Sequence, residues 1–152
     1  MTARAISILL AAVAVAAPSA SPEWAPVAIT DNDGTVVYFV DRASIQADAN
    51  GTSAWIYAVS PAVAFKMHVD YDCAGVRYRT LEVSLGPGAM AKGRSGPATP
   101  WSPVKAETPL ASAMKYACSG GKVDFGFGDL VVKSPSPEAF ARAFIARRAA
   151  RK

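Results

Sequence analysis

From Glu23 to Leu85, apolar and polar side chains alternate in short runs divided by turn-forming residues, the period-two signature of half-buried strands. "EWAPVAIT" is the first such run, with Trp24 as its apolar anchor. "DNDG" follows, and Asp, Asn and Gly tolerate the positive φ of a tight hairpin; "TVVYFV", β-branched and aromatic, predicts the returning strand. Asp41 is placed to cap a short turn through "RASI". Asn50-Gly51 then separates "SIQADA" from "TSAWIYAVS" as a second hairpin. Asn50-Gly51-Thr52 also fits the N-glycosylation pattern, but a turn accounts for it fully. Two hairpins in succession predict an antiparallel meander.

The run "AFKMHVDYDC" puts Phe65, Met67, Val69, Tyr71 and Cys73 on one face and Lys66, His68, Asp70 and Asp72 on the other, so Cys73 is expected to point inward. A two-residue loop at Ala74-Gly75 sets Asp72 opposite Arg77 and Asp70 opposite Arg79. Opposite charges facing across strands contribute about 0.2–1 kcal/mol per pair. A loop one residue longer would move both arginines onto the apolar face beside Tyr71 and Val69, so the charges select the shorter loop. Past Thr80 the pattern changes, because Leu81, Val83 and Leu85 share parity with the arginines. A bulge, or a strand covered on both faces, is expected there.

Residues 86–100, "GPGAMAKGRSGPATP", predict a loop, and Trp101 is expected to pin the chain as it returns. "TPLASAMKYACSGG" then has a capping Thr108, Pro109 at the first helical position and Gly120-Gly121 at the end. Leu110, Met114 and Cys118 recur at helical spacing, flanked by Ala111 and Ala117, which turns Cys118 inward as well. Val123, Phe125 and Phe127 alternate with Asp124, Gly126 and Gly128 and predict a further strand. A last helix opens at Ser136-Pro137-Glu138, with Phe140, Phe144 and Ile145 sharing a side.

The N-terminus changes how the cysteines are read. "MTARAISILLAAVAVAAPSA" has Arg4, an apolar run and small residues after it, the pattern of an export leader ending near Ala20, and the run is too short to span a bilayer. An exported chain matures under oxidising conditions, so Cys73 and Cys118, with no other cysteine, are expected to form one disulfide. No cysteine lies at the end of the leader, so a lipid anchor on a new N-terminal cysteine is not expected. The organisation read from this is a signal peptide over 1–20, an α+β domain over 21–132 and a basic helical tail over 133–152.

Charge sharpens the last boundary. The net charge is +4, yet residues 133–152 carry +5 and residues 21–132 carry −2. The basic character belongs to the C-terminal segment, and a nucleic-acid-binding body is not expected. Arg142, Arg147, Arg148, Arg151 and Lys152 are candidate contacts for an anionic partner, including a membrane surface.

Catalytic chemistry finds little footing. A metal site needs several convergent ligands and the chain has one histidine, His68; no C-x-x-C and no G-x-S-x-G is present. Asp70 and Asp72 share a face, but facing arginines hold carboxylates ionised, which makes poor general acids. No catalytic, cofactor-binding or metal-binding residues are expected, and no cofactor.

The ordered set of Trp24, "VYFVDRASI", Trp55 in "AWIY", "YDCAGVRYR", a glycine-rich loop, "PWSPV" with Trp101, and a helix ending in Cys118 resembles the surface-adhesin protein E family of Gram-negative bacteria, over about residues 24–118. The resemblance implies a small antiparallel sheet with a helix tethered to its concave face by a disulfide. It also implies a protein displayed on the surface that binds host matrix and serum proteins. The chain departs from the family in lacking the lipidation cysteine and in continuing past Cys118. Taken together, the expectation is an α+β fold: a single antiparallel, twisted sheet of about five to six strands, with a helix tethered to one face. The expected function is an exported, non-enzymatic binding protein, periplasmic or secreted, that contacts other proteins. The alternative is an envelope-maintenance protein whose basic tail contacts anionic lipid or peptidoglycan.

Overall fold

The computed structural model describes residues 21–31, 35–49, 51–85 and 94–151. The expected leader (1–20), the tip of the "DNDG" turn, Asn50, the first part of the glycine-rich loop (86–93) and Lys152 lie outside the described residues.

The chain runs through β1 (Glu23–Thr30), β2 (Val36–Asp41), a single 3-10 turn, β3 (Gln46–Asp48), β4 (Gly51–Val59), β5 (Ala64–Asp72) and β6 (Arg77–Leu85). Two short strands follow, β7 (Arg94–Ser95) and β8 (Ser102–Pro103), then α1 (Pro109–Cys118), β9 (Val132–Lys133) and α2 (Glu138–Ala149). All pairings are antiparallel, in the order β7-β6-β5-β4-β2-β1-β9, with β3 on β4 and β8 on β6. Among the described residues the sheet has nine strands rather than five or six. The additions include β7, β8 and β9 at two residues each, too short to leave a periodic signal.

The expected register holds. Asp72 pairs with Arg77 and Asp70 with Arg79, and a bulge at Leu81 lets Val83 and Leu85 rejoin the face of Met67 and Phe65. A second bulge at Val27 allows Trp24 and Ile29, five positions apart, to share a face with Phe39 and Val37. The Asp41 carboxylate accepts from the Ala43 N–H at 3.1 Å and starts the 3-10 turn. Gly51, opposite Asp48, is required by close approach: a Cβ there would lie 2.3 Å from the Tyr71 carbonyl oxygen.

Each face of the sheet carries a helix. On one side α1, capped by Thr108 as expected, buries Ala111, Ala113, Met114, Tyr116 and Ala117 against Val27, Val40, Ile56, Val69 and Tyr71. The buried stripe lies to one side of the Leu110/Met114/Cys118 row, because small alanines let the helix settle closer to the sheet; Leu110 and Cys118 sit at its margin. On the other side α2 seats Ala141 and Ile145 on Trp24, Val37, Phe39, Tyr57 and Val59. The basic segment is thus anchored at its start and solvated at its end: Pro137 and Ala141 are buried, while Arg147, Arg148 and Arg151 are exposed.

The strand expected over Val123–Phe127 does not form. Gly126 and Gly128 take positive φ (86° and 60°), and the Asp124 carboxylate accepts from the backbone N–H groups of Gly126, Phe127 and Gly128 at 2.8–3.1 Å. A side chain thus satisfies the donors that a ladder would have used. The turn also sends Phe125 to the α1 side and Phe127 toward Phe140 and Phe144, so the alternation marked a loop wrapped around the β1 edge.

Candidate functional site

Cys73 and Cys118 are bridged, with Cα atoms 6.0 Å apart, and tie the turn after β5 to the C-terminal end of α1. The bridge sits at the rim and not in the core. Strand parity puts Cys73 on the α1 side, but β5 ends at Asp72, so Cys73 falls in the exposed turn and Cys118 is only half-buried.

The face opposite α1 is divided. α2 covers its apolar part, over β1, β2 and the Tyr57–Val59 end of β4. The remainder, on β4, β5 and β6, carries the polar row read from the sequence and is not covered by a helix. Trp55 and His68 are cross-strand partners and stack with ring centroids 4.7 Å apart. The Lys66 ammonium lies 4.1 Å from the Trp55 ring centre, a cation–π distance. Burial against these rings pushes both Lys66 and His68 down from their ordinary values, so His68 is a neutral, stacked ring and not the solvated residue expected.

Toward the β6 edge, Arg79 donates through Nε and Nη2 to one Asp70 oxygen at 2.9 and 2.7 Å, and Arg77 holds Asp72 in the same way. The Arg77 guanidinium, with the Gly75 N–H, holds the Asp72 carboxyl below the usual carboxylate range. Trp101 covers both arginines, 4.8 Å from Arg79 and 5.7 Å from Arg77, because β8 aligns it with β6. Trp101 therefore pins the returning chain as expected. Two half-buried tryptophans and three cations thus occupy one continuous strip. Sequence reading singled out the aspartates and arginines here but did not assemble Trp55, Lys66 and Trp101 with them. The usable signal was parity across the β4/β5 hairpin.

The basic residues of α2 divide by role. Arg142 is half-buried; its Nη1 donates to the carbonyls of Pro61 (2.5 Å) and Ser60 (3.2 Å), and it lies 3.6 Å from Glu138, so it clasps the β4–β5 turn. Arg148 pairs with Asp31 at 2.6 Å. Arg147 and Arg151 are exposed and make no ion pair among the described residues. Beneath the helix, Tyr57 donates to Glu138, Ser136 donates to the Tyr57 oxygen at 3.3 Å, and burial with the Glu138 bond pushes the Tyr57 phenol up to about 12.

Among the described residues no helix is long and apolar enough to cross a membrane. No curated protein and no solved structure matches the chain. The family model of surface-adhesin protein E matches residues 24–119, from the buried Trp24 through the tethered helix. That span is most of the chain, and the antiparallel sheet with its disulfide-linked helix is the arrangement the resemblance implied: the chain belongs to the surface-adhesin protein E family.

Proposed function

We propose that the chain is an exported, non-enzymatic binding protein that contacts other proteins in the periplasm or outside the cell through the uncovered strip of β4, β5 and β6. The observation that carries this reading is the pairing of Trp55 and Trp101 with Lys66, Arg77 and Arg79 on one face. Tryptophan and arginine are enriched among the residues that carry the energy of protein interfaces, tryptophan through its large rigid ring and arginine through its multiply donating planar cation. The Asp70 and Asp72 salt bridges hold the two guanidinium groups beside Trp101, so the surface is ordered before a partner arrives. Membership of an adhesin family supports protein as the partner class.

The test compares the mature oxidised chain with a Trp55→Ala/Trp101→Ala variant in capture of envelope and extracellular proteins. The reading expects a partner that saturates the wild type, binds the variant at least about 30-fold more weakly, and is unaffected by substitutions on α2. Equal binding by the double variant, with the fold intact by circular dichroism, sinks it.

A further inference from the structure

The exposed end of α2 resolves a conflict in its sequence. Phe140 and Phe144 share a helical stripe with Arg147 and Arg151, which breaks amphipathicity on a helical wheel. In space the stripe is apolar where it overlies the sheet and basic where it runs past it. Phe144 belongs to both parts. Together with Phe127, Leu130, Phe140, Ile29 and Val37 it lines a small slot with a wholly apolar wall, and together with Arg147, Arg148 and Arg151 it lines the adjoining surface. The slot opens to water, and Leu130 at its mouth is 40% exposed.

We propose that this end of the molecule docks on an anionic lipid surface, with Arg147 and Arg151 at the headgroups and Leu130 and Phe127 entering the acyl boundary. Charge complementarity argues for the anion. Arg147 and Arg151 are exposed cations without an ion pair among the described residues, within a segment carrying +5. Their arrangement argues for a surface rather than a single small anion. Arg147 stands in the last turn of α2 and Arg151 in the turn just past Ala149, so the two charges are spread over the end of the helix. The adjoining apolar mouth argues for lipid over a purely polar polyanion, because a bilayer surface offers charge and hydrocarbon side by side. This face is separate from the Trp55/Trp101 strip, being built from α2, the 127–130 loop and the outer side of β1 and β2.

Flotation of the mature oxidised chain with vesicles of phosphatidylglycerol and phosphatidylcholine, against phosphatidylcholine alone, tests the proposal. Binding is expected to the anionic vesicles only. Arg147→Gln/Arg151→Gln is expected to weaken it about 30-fold at low ionic strength, from about a fivefold contribution per basic residue at the surface. Leu130→Gln is expected to weaken it several-fold by removing the apolar entry. All three residues are exposed, and circular dichroism with an intact disulfide verifies the fold. Equal binding to neutral vesicles, unchanged binding by the arginine variant, or complete displacement by millimolar inorganic phosphate or by polyglutamate each overturns the proposal.

Discussion

Breaking the Cys73–Cys118 bridge measures how much of this fold depends on a restraint of its unfolded chain. The bridge spans 45 positions, and in the chain-entropy model closing a loop of that length stabilises by about 4 kcal/mol. The native state offers little to offset or enlarge that figure. Cys73 is exposed and Cys118 half-buried, so serine at both positions is hydrated and leaves no core cavity. α1 keeps Thr108 as its cap and keeps Ala113, Met114, Tyr116 and Ala117 packed on the sheet. Cys73→Ser/Cys118→Ser should therefore lower the urea midpoint by about 2–3 M, for a slope of about 1.5–2 kcal/mol per M, while the folded spectrum is unchanged. Hydrogen exchange then locates the effect. The reasoning requires α1 amides to stay protected in the native variant; a drop under about 1 kcal/mol, or an α1 that exchanges freely while the sheet stays folded, refutes it.

Other perturbations probe the two helical layers. Ile145→Ala should cost about 2–4 kcal/mol in denaturant unfolding, because Ile145 is 7% exposed against Trp24, Phe39 and Tyr57; a loss under 1 kcal/mol would mean that α2 is not part of the cooperative core. The Tyr71 hydroxyl is buried with no hydrogen-bond partner among the described residues, so Tyr71→Phe should leave stability unchanged or raise it by about 1 kcal/mol, and a marked loss would reveal a partner. The Tyr57 phenol is pushed up to about 12 in the folded chain, above its unfolded value of 10. The folded state holds that proton more tightly, so this stability is complete below about pH 10 and at most about 2 kcal/mol of it is lost as pH rises to 12. Unfolding midpoints across that range should fall less steeply for Tyr57→Phe than for the wild type.

The parts of the fold that the sequence displayed are those governed by local rules. Parity and charge located the β5/β6 register and left a bulge or a doubly covered strand past Thr80, where the bulge at Leu81 is the one found; cap chemistry located α1 and the Asp41 turn. Compartment and parity together located the bridge. The misses arise where tertiary context decides. Strand parity oriented Cys73 correctly but could not show that β5 stops one residue earlier. Asp124 and two positive-φ glycines override a strand-like alternation. The strip under Trp101 needed β8, whose two residues pair only because the loop returns there. The docking of α2 was obscured because its two buried residues, Ala141 and Ile145, are surrounded by arginine.

The long outer strand of the sheet is sealed piecemeal. β7 pairs with Glu82 and Val83, Thr99 bonds both backbone groups of Thr80, and β8 pairs with Arg77 and Tyr78, placing Pro103, which has no N–H to offer, opposite Arg77. A peptide seeking to add itself as another strand meets no uninterrupted row of backbone donors and acceptors. Capture by main-chain zippering, the general-purpose mode that accepts almost any extended sequence, is closed off at this edge. Recognition at this edge is left to side chains and shape, which an unfolded fragment presents less well than a folded surface.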